Sequence, residues 1–244
     1  MSTEAVSSPR LARLHPGARK AGSASVSRAE AAAQARRLVP GELLDGCRQA
    51  LQRVAAPGVR SYGITSSIRG EGRTSVALGF ALVEWLDHER RTVVVDLDFE
   101  APELHRRLDL PDSPGISELV EGHNNVEDFL QRAVGDVWLL SAGPSLDGDA
   151  PRCLSRLAQS TVMSQLVEWA DTVVFDLPPI LGTPTGLEAA RLCGTPVMVI
   201  RAGVTPLARI KEATDALPAP PPVIVNGVSS SVPRWLRRMM GDVQ

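Results

Sequence analysis

Short runs of β-branched and aliphatic residues recur along this chain, and several of them end at a polar or acidic residue. Six runs are expected to form strands, at 62–65, 92–98, 137–140, 172–176, 196–200 and 222–226. Apolar residues at helical spacing occur between and around them, at 42–51, 76–86, 152–170, 184–192 and 206–217. Uninterrupted apolar strands are typical of a parallel sheet that is covered on both faces. The pattern therefore predicts an α/β fold with a doubly wound, mostly parallel sheet.

The loop after the first predicted strand carries the clearest chemical signal. It reads Ser67-Ile68-Arg69-Gly70-Glu71-Gly72-Arg73-Thr74 and leads into a predicted helix. Backbone N–H groups at such a helix start attract phosphate. Gly72 and Thr74 fit the Walker A pattern G-x-x-x-x-G-K-[ST], whereas Ser67 and Arg73 stand where it has its first Gly and its Lys. Taken alone, the loop is equally compatible with an ordinary glycine-containing turn.

Three acids follow predicted strands further along the chain. Asp96 and Asp98 close the second strand, and Asp176 closes the fourth. Because ligands of open α/β sheets bind beyond the carboxyl ends of the strands, these carboxylates are expected to converge on the glycine loop. A single acid after a strand is commonly a turn residue or a helix cap. Three of them behind a glycine loop favour a site for a nucleotide with Mg²⁺, which needs carboxylates near its metal.

The bulk composition narrows the function classes. The 244 residues carry a net charge of −2, which gives no reason to expect a nucleic-acid partner. Cys47, Cys153 and Cys193 lie far apart and lack C-x-x-C spacing, which is typical of free thiols in a reducing compartment and not of a zinc site. No apolar run reaches the roughly 18 residues that span a bilayer, and we find no secretory signal pattern. We therefore expect a cytoplasmic protein.

Composition also divides the chain into three segments. Residues 1–40 are rich in Ser, Ala, Gly and Arg and are expected to form a disordered basic arm, in which 28–38 makes at most a transient helix. The alternative for this arm is contact with an anionic membrane or a partner. Residues 41–230 are expected to form the one folded domain.

Residues 231–244 form a basic amphipathic tail. On a helix, one face would combine four apolar side chains, those of Trp235, Leu236, Met239 and Met240. Arginines would surround the other face, as in short helices that lie in a membrane interface. Two interpretations stay open: the tail contacts a membrane, or it packs on the protein's own surface.

Several segments together resemble the bacterial tyrosine kinases, P-loop proteins of capsular and exopolysaccharide export that are related to the MinD and ParA ATPases. The segments are 64–67, 70–74, 95–105, 115–122, 140–143, 176–179 and 225–227. They are similar to the family's TSS-x-x-GEGK-[ST], D-x-D-x-R-x-P-x-x-H, GLSDLLAG, L-x-A-G, D-[TL]-PP and LNG motifs, in the same order. The resemblance covers about residues 42–228.

This resemblance implies a P-loop NTPase fold of the MinD/ParA type and a site for ATP and Mg²⁺. By it, the catalytic set would be Arg73, Asp96, Asp98 and Asp176, whose acids match the Walker A′ and Walker B positions. The ATP-binding positions would be Gly70, Glu71, Gly72, Arg73, Thr74, Ser75 and, near the base, Asn226. The metal-binding positions would be Thr74, Asp96 and Asp176.

The sequence also departs from the family's motifs. Arg73 replaces the phosphate-binding Lys, and Glu100 stands where the family has Arg after D-x-D. Thr185 stands about where a further Asp is expected. Asp45 replaces the central Arg of the E-x-x-R-x-x-R oligomerisation motif, so an octameric ring is not expected. Tyr62 is the only tyrosine of the chain, which therefore lacks a tyrosine cluster.

These matches and departures predict a degenerate member in which ATP and Mg²⁺ are held weakly or not at all. It would act in the cytoplasm or at the inner face of the plasma membrane, as a partner of a membrane polysaccharide co-polymerase or export protein. One alternative is an active Mg-ATPase or tyrosine kinase that uses Arg73. The other is a membrane-associated positioning ATPase of the MinD/ParA type.

Overall fold

A seven-stranded sheet organises the computed structural model, which describes residues 27–227 except 123, 124, 145, 147 and 194. The strands are β1 Ser61–Ser66, β2 Thr92–Asp96, β3 Gln131–Val134, β4 Val137–Leu140, β5 Thr172–Asp176, β6 Thr195–Arg201 and β7 Val223–Asn226. Their order in the sheet is β3-β4-β2-β5-β1-β6-β7. Strand β3 is antiparallel to β4, and the other neighbouring pairs are parallel. The predicted mostly parallel α/β sheet is confirmed.

Helices cover both faces of this sheet. They are α1 Arg28–Leu38, α2 Gly41–Val54, α3 Arg73–His88, α4 Leu104–Leu108, α5 Ile116–Leu119, α6 Ala150–Gln159, α7 Val162–Trp169, α8 Gly186–Leu192 and α9 Leu207–Ala216, with a 3-10 turn at Val126–Phe129. Alternate residues of a strand point to opposite faces. Accordingly, Val93 and Val95 pack with residues of α5 to α9, whereas Val94 packs with residues of α1 to α3.

Helix α3 is the element that links the sheet to the glycine loop. It is buried along most of its length, with α2 packed against it. The two helices approach closely, because a Cβ atom placed on Gly79 of α3 would lie 2.5 Å from the Sγ atom of Cys47 on α2. This packing fixes the direction of α3 and therefore the position of its first residue, Arg73.

Two elements differ from the sequence-based expectation. The predicted helix at 152–170 is interrupted at Ser160, whose hydroxyl donates to the carbonyl of Leu157 at 2.8 Å and accepts the N–H of Val162 at 3.2 Å. The hydroxyl thereby satisfies groups at the end of α6 and the start of α7. Strand β3 was not predicted, because its residues, Gln131-Arg132-Ala133-Val134, contain no apolar run. The one sequence feature that indicates a hairpin here is the Gly135-Asp136 pair before β4, which is typical of a turn.

Helix α1 corrects the prediction that the chain is disordered up to residue 40. Ser27 accepts the N–H of Glu30 at 3.2 Å, and the Glu30 carboxylate accepts the N–H of Ser27 at 2.9 Å, which forms a capping box. Ala31 and Ala35 are buried against the core. Alanine has no long apolar side chain, so this packed face was not visible as an apolar stripe. Residues 1–26 and the tail 231–244 lie outside the described residues.

Substitutions on the two faces of α1 test this packing. Ala35→Arg should lower the free energy of unfolding by about 2–4 kcal/mol, because it forces a long charged side chain into a filled, buried position. Ala33→Arg is the matched control at an exposed position of the same helix and should change it little. Urea unfolding of both variants measures the difference. Equal, small effects would show that α1 is not docked.

Candidate functional site

The loop between β1 and α3 has the shape of a phosphate-binding loop. Gly70 and Gly72 both have positive φ angles, of 84° and 92°, and helix α3 begins directly afterwards at Arg73. Two reasons favour glycine at position 72: its φ angle is positive, and a Cβ atom there would lie 2.1 Å from Nδ2 of Asn226. The first N–H groups of a helix have no partner within it and attract anions. The backbone therefore fits phosphate.

Side chains from two other parts of the chain clamp this loop. Glu71 is buried, and its Oε2 atom accepts the N–H of Ile68 at 2.9 Å. The hydroxyl of Thr205, in the connection between β6 and α9, donates to Oε1 of Glu71. Asn226, at the end of β7, donates from Nδ2 to the Glu71 carbonyl at 2.9 Å. The side chain of Asn226 thus positions the loop, and its expected place near a nucleotide base stays a prediction.

The predicted acids converge at one edge of the sheet. Strands β2 and β5 are paired in a register that sets Asp96 opposite Asp176. Asp98 follows two residues after Asp96, and all three carboxylates are buried. The pairing of neighbouring parallel strands explains this convergence, because it brings their carboxyl ends to the same edge.

Arg73 lies between two of these acids. Its Nη2 atom is 2.6 Å from Oδ2 of Asp98, and its Nε atom is 3.0 Å from Oδ1 of Asp176. Arg69 extends the network from the loop, with Nη1 at 2.8 Å from Oδ2 of Asp98 and Nη2 at 3.2 Å from Oε2 of Glu100. These five residues, Arg69, Arg73, Asp98, Glu100 and Asp176, are called the Arg73 cluster below.

Asp96 has a different set of partners. Its Oδ1 atom accepts the N–H of Asp98 at 3.1 Å, and its Oδ2 atom accepts the N–H groups of Glu103 and Leu104, each at 3.1 Å. The side chain therefore closes the turn after β2 and caps the start of α4. This arrangement gives Asp96 a structural role that its position after a strand allows in any α/β protein.

Burial and charge shift the pKa values of this site in opposite directions. Burial alone would lower the pKa of Arg73, but Asp176 and Asp98 more than compensate and raise it. Burial raises the pKa of Asp176, whereas the guanidinium of Arg73 opposes that rise. Burial, reinforced by the nearby charge of Asp176, raises the pKa of Asp96 to about 8. Arg73 is therefore the charged partner of Asp176, and it also contacts Asp98.

The residues predicted to bind Mg²⁺ fit it poorly in this arrangement. Asp176 is bonded to Arg73 and also accepts from the side chain of Thr74, and the oxygens of Asp96 accept backbone N–H groups. Across the described residues, no three His, Cys, Asp or Glu side chains are grouped so that they could hold a metal ion. The loop backbone thus suits a phosphate, whereas the acids beside it are occupied by a guanidinium.

Sequence reasoning missed two residues of the site. The sequence does not indicate a role for Arg69 in the loop. In the structure its guanidinium donates to Asp98 and Glu100. Thr205 lies 134 positions from Glu71 along the chain, so no local pattern connects them. Glu100 was recognised as a departure from the family's motif, but its partner was not.

Comparisons with known proteins agree with this geometry. CapB of Staphylococcus aureus, which is assigned as a tyrosine-protein kinase, is 26% identical over 179 residues, covering 72% of this chain and 76% of CapB. The tyrosine-protein kinase YwqD of Bacillus subtilis (strain 168) is 26% identical over 164 residues, covering 65% of this chain and 67% of YwqD. Three further curated relatives are longer, and the chain covers only 17% to 23% of them. No protein-family model matches the chain.

Solved structures show the same relationship at the level of the fold. The chimerical protein CapA2B2 superimposes with a TM-score of 0.65 at 20% identity, covering 75% of this chain and 82% of that one. The septum site-determining protein MinD of Pyrococcus horikoshii OT3, complexed with Mg-ADP, gives a TM-score of 0.56 at 19% identity, covering 76% and 79%. The MinD structure contains Mg-ADP, and its likeness to this chain is one of fold. The chain is a homologue of bacterial tyrosine-protein kinases, built on the P-loop NTPase fold that it shares with MinD-like ATPases.

Proposed function

We propose that this chain acts in bacterial capsular or exopolysaccharide synthesis or export as a partner of a membrane co-polymerase, with weak nucleotide binding and little catalysis. The observation that carries the low activity is the position of Arg73, whose guanidinium is bonded to Asp98 and Asp176. The membrane partner is supported by the sequence resemblance and by the chimerical neighbour CapA2B2, whose name joins CapA to CapB. No helix among the described residues is long and apolar enough to cross a membrane.

The shape of arginine explains why catalysis should suffer. A lysine offers a compact charge that can follow a phosphoryl group, whereas arginine is a planar fork that binds two acids at once. In this site the fork is already used by Asp98 and Asp176. Losing one well-placed electrostatic contact to a transition state costs roughly 3 kcal/mol, or about a hundredfold in rate.

Restoring the lysine tests the catalytic part of the proposal. Wild-type ATP turnover should be slow, and Arg73→Lys should raise it by about tenfold or more if the rest of the loop is competent. Arg90→Lys is the matched control, because Arg90 also pairs with a buried acid, Glu84, at a distance of 2.7 Å. Phosphotyrosine should not accumulate, because the only tyrosine, Tyr62, is buried in β1.

Two outcomes of that turnover assay would contradict the proposal. Brisk wild-type turnover that falls in Arg73→Lys would favour an active ATPase that uses arginine. Phosphotyrosine on the purified wild-type chain would favour a kinase. Equal changes in Arg73→Lys and Arg90→Lys would mean that the effect is one of stability and not of chemistry.

The proposed assembly is smaller than an octameric ring. Arg48, the remaining arginine of the motif on α2, is engaged within its own chain, at 2.7 Å from Asp45 and 2.6 Å from Asp87. The charge of Arg48 is therefore already paired within its own chain. In addition, Asp45 places a negative charge where the family's motif has a positive one.

Sedimentation velocity tests this assembly. The isolated wild-type chain should sediment as a monomer or dimer at micromolar concentration. Asp45→Arg removes one partner of Arg48 and restores the basic residue of the motif, so any larger species should appear in this variant first. A stable octamer of the wild type would contradict the proposal.

We further propose that the tail brings the protein to the inner face of the membrane. Its arginines would each contribute about 1 kcal/mol near an anionic surface, so binding should be reversible and weakened by salt. A chain that ends at residue 231 should lose co-sedimentation with vesicles of mixed phosphatidylserine and phosphatidylcholine, and Trp235→Ala should reduce it. A large drop in the melting temperature of the truncated chain would instead show that the tail belongs to the folded domain.

A further inference from the structure

The acids of the site leave little room for an additional cation. Oδ2 of Asp98 accepts from Arg73 at 2.6 Å and from Arg69 at 2.8 Å, and its Oδ1 accepts the N–H of Ala101 at 3.2 Å. Oδ1 of Asp176 accepts from Nε of Arg73 at 3.0 Å. Mg²⁺ needs carboxylate oxygens at about 2.0–2.1 Å in near-octahedral geometry. To bind there, it would have to displace guanidinium groups that already satisfy these oxygens.

The guanidinium of Arg73 supplies one positive charge directly to Asp98 and Asp176. Its side chain is 10% exposed, and those of Asp98 and Asp176 are each 1% exposed. Carboxylates buried to this degree stay ionised only beside a cation or strong hydrogen-bond donors. The planar fork meets Asp98 through Nη2 and Asp176 through Nε, two donors held in one fixed plane, an arrangement that a spherical ion or an ammonium group does not have.

Arg69 and Glu100 complete the Arg73 cluster. Arg69 bridges Asp98 to Glu100, the acid that stands where the related kinases' motif has an arginine. The cluster keeps a formal charge of −1, from two arginines and three acids, so the case against Mg²⁺ depends on the occupied carboxylate oxygens and not on the net charge. A divalent ion that entered beside Arg73 would meet a like charge at short range in a poorly solvated site.

We propose that the guanidinium of Arg73 is a built-in replacement for the divalent cation of this site, so that the site takes no Mg²⁺. This inference rests on the proposed function, because it concerns the same loop and acids. Any phosphate ligand would then be held by the loop backbone in its metal-free form. Binding of ADP to the chain should accordingly be independent of Mg²⁺.

Mn²⁺ titration of the 244-residue chain, followed by electron paramagnetic resonance, tests whether Arg73 replaces the metal ion. Mn²⁺ serves as a spectroscopic probe for the Mg²⁺ position. The wild type should show no saturable site at the acids, with or without ADP. Arg73→Ala should gain a saturable Mn²⁺ site, at least about tenfold tighter than the weakest binding that the titration detects, because it leaves two buried carboxylates without their cation.

Two further variants make the titration decisive. Arg90→Ala is the matched control, because it also removes an arginine from a buried acid, Glu84, but away from the loop; it should gain no Mn²⁺ affinity. If Arg73→Ala does not fold, Arg73→Lys replaces it, since lysine keeps one charge but lacks the fixed planar pair of donors that Arg73 presents to Asp98 and Asp176.

The results separate this inference from the proposed function. Saturable Mn²⁺ binding to the wild type that disappears in Asp176→Asn would overturn the replacement and leave low turnover untouched. Folded Arg73 variants without any gain in Mn²⁺ affinity would overturn it as well. Brisk ATP turnover by the wild type with EDTA present would contradict the proposed function and leave the replacement standing.

Discussion

Buried carboxylates that share one sheet edge are the constraint on which this site depends. Parallel pairing of β2 with β5 brings Asp96 opposite Asp176, and the turn after β2 adds Asp98 beside them. Such a group of acids cannot remain ionised without compensating donors or a cation. P-loop proteins that bind nucleotide can meet this requirement with a metal ion, whereas this chain meets it with Arg73 and, towards solvent, Arg69.

The shape of the loop does not depend on whether a metal ion or Arg73 compensates the acids. Gly72 keeps its positive φ angle, Glu71 holds the loop amide of Ile68, and Asn226 holds the loop carbonyl from the end of β7. These contacts are made within the protein and need no ligand. Such a loop can be retained where catalysis is low, because these contacts join it to β7 and to the connection between β6 and α9. Loss of activity and preservation of the fold are therefore compatible in this chain.

The sequence was sufficient for the sheet and for the convergence of the acids, because buried parallel strands are continuous apolar runs whose ends meet at one edge. It was insufficient where side-chain direction decides the chemistry. An arginine at the first position of α3 can reach towards a phosphate or towards the acids, and residue identity does not distinguish these. The packing of α1 was not predicted because it uses the short side chains of Ala31 and Ala35, and β3 was not predicted because its residues contain no apolar run.

The same limit applies to Asp96. A carboxylate after a strand can bind a metal or cap a following turn. The structure shows that Asp96 is a cap, because its oxygens accept three backbone N–H groups. The roles of Asp98 and Asp176, by contrast, depend on the side-chain position of Arg73, which lies on a different element. Pairwise contacts between distant parts of the chain, such as that of Thr205 with Glu71, lie beyond any local pattern.

A crystal structure of the 244-residue chain grown with ATP and Mg²⁺ would show directly whether Arg73 takes the place of the metal ion. The guanidinium of Arg73 should remain between Asp98 and Asp176, at the distances of 2.6 and 3.0 Å seen here, with no metal ion among the acids. A structure in which Arg73 turns to the phosphates while a metal ion bridges Thr74 and Asp176 would contradict it.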